Sequence, residues 1–457
     1  MTKKVVKNGN IVIYEGNNAK VLENHSILIN GNIIEKIDKF ENLQTEGAEI
    51  INAKDKIVVA GLINTHHHAS QTLTRAMKTV QNAKLFDWLI NLYQVWKNLT
   101  YESLHASATV SIAEMMLYGC TTSTDMTYLY PQNSDATTDA VIQAAQELGI
   151  RFHSGRGSMS LGESKGGLPP DIDTQSEKVI MEDSIRLIEK YHDASPLAML
   201  KIDLSPCAPF AISKDLMRET RKLGKDKNVL CHTHLAETLD EEVFCLETYG
   251  CRPVQFLADL DWLGNDVYLA HCIHLNQEEI ELFAKTGTAV AHCPSSNMRL
   301  GSGIAPVVEL LKAGGKVGVA IDGSSSNDSG NILNEARMAL FLQRVKHGAE
   351  CMTPADALQL ATIKGAGLLN RADSLGSIEV GKAADLAIFD LNTLEHAGAY
   401  AQDPLGALIL CNSNRADTVI INGEVVVKDK TLVRADEEKI IYNLNKIVKK
   451  SFLPVMK

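Results

Sequence analysis

Between residues 57 and about 346 the chain alternates short apolar, β-branched runs with longer stretches of helical periodicity, and this alternation leaves few folds open. Runs of this length suit strands buried on both faces, and an intervening helix returns the chain to the same end of a parallel sheet. The runs fall at 57–63, 120–125, 151–154, 199–204, 228–231, 267–270, 288–291 and 316–321. Helical patterns such as SLHASATVSIAEMMLYG, DATTDAVIQAAQELG, QEEIELFAKTG and APVVELLKAGG lie between them, each closing on glycine, where the chain can leave a helix through a left-handed residue. Eight such repeats predict an α/β fold, a (β/α)8 TIM barrel that gathers the C-terminal strand ends around one mouth.

The flanks read differently. Alternating strand-like pieces occupy NIVIYEG and HSILINGNIIEKI before the barrel, and SIEVGKAADLAIFDL and ADTVIINGEVVVKDKTLV after it. Asn30-Gly31 and Asn422-Gly423 are hairpin signals between apolar runs. The expected organisation is the N-terminal part of a β-sandwich at 1–56, the barrel at 57–370, and the C-terminal part of the sandwich at 371–457. The last segment ends in an amphipathic helix over 437–450 whose basic end matches the helix dipole.

Composition narrows the partners. Forty-five Lys and Arg against 56 Asp and Glu give a net charge of −11, which argues against nucleic acid, because a phosphate-binding surface needs clustered positive charge. Small-molecule substrates fit better. No stretch reaches the ~20 apolar residues of a membrane span, and MTKKVVKNGNIVIYEG has no apolar leader core, so a cytoplasmic protein without a membrane partner is expected. The oligomeric state is open, a homo-oligomer included. The nine cysteines form no CxxC pair and read as reduced thiols, with Cys207 placed to line a pocket.

The strand ends carry the chemistry. His66 and His68 are two apart and face the same side, whereas His67 faces away. His234 closes the fifth run, with His232 buried or supporting, and Asp322 closes the eighth. Three imidazoles and a carboxylate suit one divalent metal, Zn2+ by preference with Fe2+ also compatible, and leave a position for water if the ion accepts a fifth ligand. Lys201 lies too early in its strand to bridge a metal pair. Glu237 falls near the mouth and His271 beside the water, positions suited to proton handling and charge stabilisation. Asp322 is expected to serve both as ligand and as proton acceptor. His274 reads as packing, and His292 is balanced between packing and support.

GLINTHHH, HTHLAET, LAHCIHL, HCPSSNMRLGSG, DGSSSNDSGNILNEARMA and SIEVGKAADLAIFDL closely resemble the amidohydrolase superfamily, in its cytosine deaminase, chlorohydrolase and S-adenosylhomocysteine deaminase branch. The resemblance spans nearly the whole chain. The segments TLTRAMKTVQNAKLFDWLINLYQVW, RFHSGRGSMSLGESKGGLPPD and HLAETLDEEVFCLETYGCRPV are most similar to deaminases of 8-oxoguanine. The resemblance implies an aminohydrolase that converts 8-oxoguanine to urate and ammonia, with isocytosine as a smaller substrate. It matches His66, His68, His234 and Asp322 to the metal ligands and Glu237 and His271 to the proton-handling pair. In the implied mechanism Asp322 takes a proton from the attacking water and passes it to the leaving amine, while Glu237 protonates the adjacent ring nitrogen.

Substrate contacts are expected from Gln71, whose carboxamide can pair with a cyclic amide edge, and from Arg156 and Asn297, just past their strands. Trp88 and Trp96 suit either ring stacking or core packing. Long loops at 69–102 and 157–175 are the lid candidates. The alternatives are an S-adenosylhomocysteine or adenosine-type deaminase, for which Asp87 would bind ribose hydroxyls, and a triazine aminohydrolase. A barrel that serves only as a binding scaffold would have lost ligands, and none of the expected set is missing.

Overall fold

Eight strands form one all-parallel sheet in sequence order: β1 (Leu62–Asn64), β2 (Cys120–Thr127), β3 (Arg151–Ser158), β4 (Leu200–Pro206), β5 (Cys231–Leu235), β6 (Val267–His271), β7 (Ala289–His292) and β8 (Lys316–Val319). The structure, a computed structural model, describes residues 3–16, 18–412 and 414–455. The sheet closes where its first and last strands meet. The Thr65 N–H and hydroxyl donate to the Val319 carbonyl at 3.3 and 3.0 Å, and the Asn64 Oδ1 accepts the Ile321 N–H at 2.9 Å. A short parallel pair, His67–His68 with Asp322–Gly323, carries this seam to the mouth.

The intervening helices start and stop as their sequences dictate. Thr100, Thr137, Ser176, Ser213, Thr238 and Asn276 each accept a first-turn N–H, and Gly149, Gly250 and Gly287 close their helices in the left-handed region. Ile112, Met116, Leu187, Leu216, Phe283 and Leu310 of these helices share one buried cluster with Leu204, Leu269, Val290 and Val317 of the strands. Burial at about 25 cal/mol per Å2 of apolar surface makes this layer the main source of barrel stability.

Two boundaries differ from expectation. The run at 57–63 is divided at Gly61: Ile57–Ala60 joins the outer sheet, and only Leu62–Asn64 enters the barrel. A Cβ at Gly61 would lie 2.1 Å from the Thr121 Oγ1, so only glycine lets the chain pass between the two sheets here. Several barrel strands also run further towards the mouth than their apolar runs do, β3 to Ser158 and β5 to Leu235.

Both chain ends join in a nine-stranded, mainly antiparallel sheet beside the barrel. Leu386–Phe389 pairs directly with Ile57–Ala60, which in turn lies parallel to the first strand, Lys3–Glu15. The 422–423 hairpin has the expected two-residue turn with positive φ at both positions (+53° and +79°), whereas the hairpin expected at Asn30-Gly31 turns at Gly31-Asn32, one residue later. Arg151, at the base of β3, makes a buried bidentate ion pair with Asp385 of the outer sheet at 2.8 and 3.0 Å, fixing barrel to sheet. The final helix, Glu437–Ile447, continues as a wider turn to Phe452, which packs with Leu92 and Trp96. Among the described residues no helix is long and apolar enough to cross a membrane.

Candidate active site

His66, His68, His234, His271 and Asp322 converge at the mouth, in two groups that share His66: His66, His234 and His271, and His66, His68 and Asp322. All four rings and the one carboxylate come from strand ends, as the barrel geometry requires. The backbone turns sharply to bring them there. Ala236, His271, Cys272 and Asp322 have φ of +51°, +70°, +49° and +64°, a region costly for non-glycine residues and held here by neighbouring hydrogen bonds.

The protonation of each imidazole is set from behind. His68 Nδ1 lies 2.9 Å from the Met126 carbonyl and His234 Nδ1 2.6 Å from the Cys207 carbonyl, and a carbonyl can only accept. Both Nδ1 atoms therefore carry the proton, and both Nε2 atoms present lone pairs inward. His66 is fixed at one remove. His232 donates from Nδ1 to the Tyr268 carbonyl at 2.8 Å, so its Nε2 must accept from His66 Nδ1 at 2.7 Å. His66 Nε2 is left buried without a hydrogen-bond partner among the described residues.

These lone pairs test the fit of a metal. His68 Nε2 and His234 Nε2 lie 3.1 Å apart, although neither has a proton to share. Asp322 Oδ1 adds a negative charge 3.3 and 3.4 Å from His66 Nε2 and His68 Nε2. Inward lone pairs around one carboxylate oxygen repel unless a cation lies among them, so the donor set suits a divalent metal. Burial reinforces this by holding His66 and His234 well below their ordinary pKa, hence neutral and able to ligate.

Asp322 is held by residues that the sequence reading did not single out. Its Oδ2 accepts the hydroxyls of Ser296 at 2.6 Å and Ser326 at 2.8 Å, leaving Oδ1 to face the histidines. Burial works to raise its pKa, but the adjoining imidazoles of His66 and His271 hold it well below the usual carboxylate range. Their signal was the paired serines of HCPSSN and DGSSSN, each close after a strand end.

Glu237 and His271 form the second half of the site. His271 Nε2 lies 3.5 Å from Glu237 Oε2, and its Nδ1 donates to Asn297 Oδ1 at 3.0 Å. Burial pushes Glu237 up to about 7, against the opposing pull of His271. For His271 burial acts downward, but the Glu237 and Asp322 carboxylates outweigh it and raise the pKa above the ordinary value. Carboxyl and imidazole together thus hold an exchangeable proton near neutrality.

A small cavity of about 30 Å3 adjoins the cluster. Its floor includes His68, His234, Glu237, His271 and Asp322, and its roof is made by Leu85, Trp88, Leu89, Phe210 and Leu300. Gln71, Tyr128 and Cys207 line its wall. Gln71 Oε1 accepts the Ser325 N–H at 3.3 Å and lies against Gly323, where a Cβ would meet it at 1.8 Å. A larger groove of about 750 Å3, between helices 101–117 and 437–447, includes none of the clustered strand-end residues. The chemistry belongs to the smaller space.

Two expected substrate contacts do not line this cavity. Arg156 does not line the cavity: its guanidinium binds Asp183 and Gln175 at 2.8 Å each and the Gly157 carbonyl, and it lies 4.3 Å over the Tyr130 ring. Asn297 is fully buried and turned to His271 rather than to the cavity. Of the remaining candidates, Trp88 reaches the roof while Trp96 packs beneath it, its Nε1 donating to Thr74 Oγ1 at 3.2 Å. Asp87 is exposed and does not line the cavity. Lys201 donates to the Asp193 carbonyl at 3.0 Å near the start of β4, at the end opposite the mouth. Segment 69–102 supplies Leu85, Trp88 and Leu89 of the roof, whereas 157–175 only backs it, through the Leu168 N–H on the Phe210 carbonyl at 3.0 Å. His274 binds the Ser302 carbonyl at 3.0 Å rather than the cluster, and neither nitrogen of buried His292 has a hydrogen-bond partner among the described residues.

The same architecture recurs in known proteins. The chain is 46% identical over 415 residues to the 8-oxoguanine deaminase of Pseudomonas aeruginosa, covering 91% of this chain and 92% of that one. It is 31% identical over 455 residues to the 5-methylthioadenosine/S-adenosylhomocysteine deaminase of Halothermothrix orenii, covering 98% and 99%. Its fold matches the zinc-complexed atrazine chlorohydrolase of Arthrobacter aurescens TC1 with a TM-score of 0.91 and 32% identity over 97% of this chain and 99% of that one. The amidohydrolase family profile matches residues 57–426. The parallel barrel, the inward-facing donors at its mouth and these likenesses lead to one conclusion: the chain belongs to the amidohydrolase family and is an enzyme of its deaminase and hydrolase kind.

Proposed function

We propose that this enzyme is a zinc-dependent hydrolytic deaminase of an amino-substituted nucleobase, with 8-oxoguanine as substrate, urate and ammonia as products, and isocytosine as a smaller substrate. The observation that carries the reading is Glu237, a carboxyl whose pKa lies at about 7, set beside His271 and across the cavity floor from Asp322. Ester or amide cleavage needs no proton on a ring atom. Displacement of an amine from an amidine carbon does, since otherwise negative charge builds on the ring nitrogen.

In this reading His66, His68, His234 and Asp322 hold the ion, which supplies Lewis acidity that lowers the pKa of water towards about 7. As water attacks the amino-bearing carbon, Asp322 would take one of its protons on Oδ2, where the Ser296 and Ser326 hydroxyls can turn from donors to acceptors. Glu237 donates its proton from Oε2 to the ring nitrogen next to the amino-bearing carbon. His271, aligned by Asn297, stabilises the oxygen that becomes the product carbonyl. Asp322 then returns its proton to the amine, the C–N bond breaks to release ammonia, and the added hydroxyl gives its remaining proton to Glu237 as the carbonyl forms, so each protein group recovers its starting state.

The cavity bears on the substrate class. About 30 Å3 takes two or so waters at ~10–15 Å3 each, so a planar base enters only when the Leu85, Trp88 and Leu89 roof is displaced. Apolar roof and polar floor suit a flat ring with one hydrogen-bonding edge, for which Gln71 is the nearest carboxamide. Similarity to the Pseudomonas enzyme supports 8-oxoguanine in particular. The exposed position of Asp87 leaves the nucleoside reading without its ribose contact.

The test is a panel of 8-oxoguanine, isocytosine, S-adenosylhomocysteine and a hydroxylated triazine, followed by continuous ammonia detection, with Asp322→Asn as the control. Turnover of 8-oxoguanine at the highest kcat/KM is expected. Ammonia from a nucleoside with none from 8-oxoguanine would overturn the assignment.

A further inference from the structure

We infer that Glu241, which touches neither the cavity nor the ligand cluster, is the positioning residue for the Glu237 and His271 pair. The inference rests on the proton-carrying part proposed for Glu237.

Glu241 is the third residue of the helix Leu239–Tyr249, capped by Thr238. A glutamate at that position ordinarily reaches back to the N–H of the cap residue itself. Here it reaches further. Its Oε1 accepts the Ala236 N–H at 2.9 Å and its Oε2 the Glu237 N–H at 3.0 Å, so both oxygens are taken by the segment that presents the reacting carboxyl. Glu241 is buried, and no cation pairs with it among the described residues. A buried carboxylate at a helix start is served equally well by the local cap, so its two bonds to residues 236 and 237 point to a specific task.

That task is visible in the backbone. Ala236 is in the left-handed region at +51°, unfavourable for alanine, and its carbonyl accepts the N–H groups of Ile273 and His274 at 2.9 and 3.0 Å. His271 and Cys272, immediately before them, are left-handed too. Glu241 thus clamps one strained turn, and that turn clamps the other. The side chains of Glu237 and His271 leave these two turns and meet at 3.5 Å. Without the clamp, two buried N–H groups lose their acceptor and the turn at Ala236 can relax towards an ordinary conformation, moving Glu237 relative to His271. A displacement of about 1 Å in an acid–base group costs about 10- to 100-fold in rate.

The experiment compares Glu241→Gln and Glu241→Ala with the wild-type holoenzyme, using whichever panel substrate the wild type turns over. Glu241→Gln keeps the volume but sets an NH2 against one N–H. The expected result is a kcat about 10- to 100-fold lower with KM changed less than about threefold, and a displaced alkaline limb in the pH profile of kcat/KM, in protein that retains its metal and its cooperative melting. Glu241→Asp, one methylene short, should behave like Glu241→Ala. In the wild type, amide exchange at Ala236 and Glu237 should be slow and should accelerate in Glu241→Gln together with Ile273 and His274. Should Glu241→Ala fail to fold, the glutamine variant and the exchange data still decide. A folded glutamine variant with wild-type kcat, pH profile and exchange at these four amides overturns the inference. If instead Glu237→Gln itself retains full activity while the exchange behaves as stated, the proposed part of Glu237 fails and the clamp stands.

Discussion

Replacing His232 with phenylalanine isolates the tautomer control on which the metal site depends. His232 makes no contact with the cavity, yet its Nε2 is the acceptor that keeps the His66 proton on Nδ1, at 2.7 Å. Phenylalanine preserves the stack on Tyr268, whose ring lies 4.0 Å away at 11°, so packing is nearly unchanged. Without the acceptor, His66 leaves a buried donor unpaired, at a cost of about 1–3 kcal/mol. The metal-free variant can avoid this by moving the proton to Nε2, which faces Asp322 Oδ1 at 3.3 Å. Metal binding must reverse that move. The penalty therefore falls on the loaded protein alone, and 1–3 kcal/mol becomes about a 5- to 150-fold weaker affinity at about 1.4 kcal/mol per tenfold. The lost bond from His232 Nδ1 to the Tyr268 carbonyl is common to both forms and cancels. Zinc affinity would be measured by competition with a chromogenic chelator, beside thermal melting of the metal-free proteins. His232→Gln, which restores an acceptor oxygen, should recover part of the loss. Zinc affinity within about threefold of wild type in His232→Phe, or equal losses in both variants, would refute the tautomer reasoning.

The other predictions concern protons and space. Glu237 must be protonated to donate, and its pKa lies at about 7, so kcat/KM should fall as pH rises above that value; Glu237→Gln should lower kcat by about 10²- to 10⁴-fold, and a rate that keeps rising through this range would contradict the assignment. Glu335, held by the Ser295 N–H and hydroxyl at 3.1 and 2.8 Å, is raised by burial from 4.5 to about 7. The folded state therefore keeps this proton to higher pH than the unfolded state, and the associated stability is fully present below 4.5 and lost as pH rises through about 7. Glu335→Gln should gain about 3 kcal/mol relative to wild type between about pH 4 and about pH 8, read by urea unfolding, and a pH-independent difference would count against it. Gly323→Ala should displace Gln71, the flexible group its Cβ would strike at 1.8 Å, and raise KM about tenfold with little change in melting temperature. An unchanged KM would remove Gln71 from the substrate contacts.

The alternation of apolar runs and helical periods was enough to specify the barrel and its strand order, because each βα unit buries its own two faces and the period of burial is written locally. The gathering of His66, His68, His234 and Asp322 at the mouth was legible for the same reason: polar residues at the ends of apolar runs have one place to go in a parallel barrel. The strand limits were less legible at that end. Gly155, Gly157, His232 and Thr233 carry their strands past the ends of the apolar runs, where the side chains are small or polar and periodicity falls silent. The division at Gly61 was hidden because Ile57–Ala60 and Leu62–Asn64 are equally apolar, and only the approach of Thr121 distinguishes the sheet each one joins. Tertiary structure alone decided the rest. His232 behind His66, Ser296 on Asp322 and Asn297 on His271 are pairings between side chains far apart in sequence, and Ser326 on Asp322 and Glu241 on the Ala236 turn are local contacts that depend on how the backbone bends after the strand end. Residue type and spacing determined which groups could bind a metal and move protons; the fold determined which nitrogen holds each proton and which carboxyl can lend one.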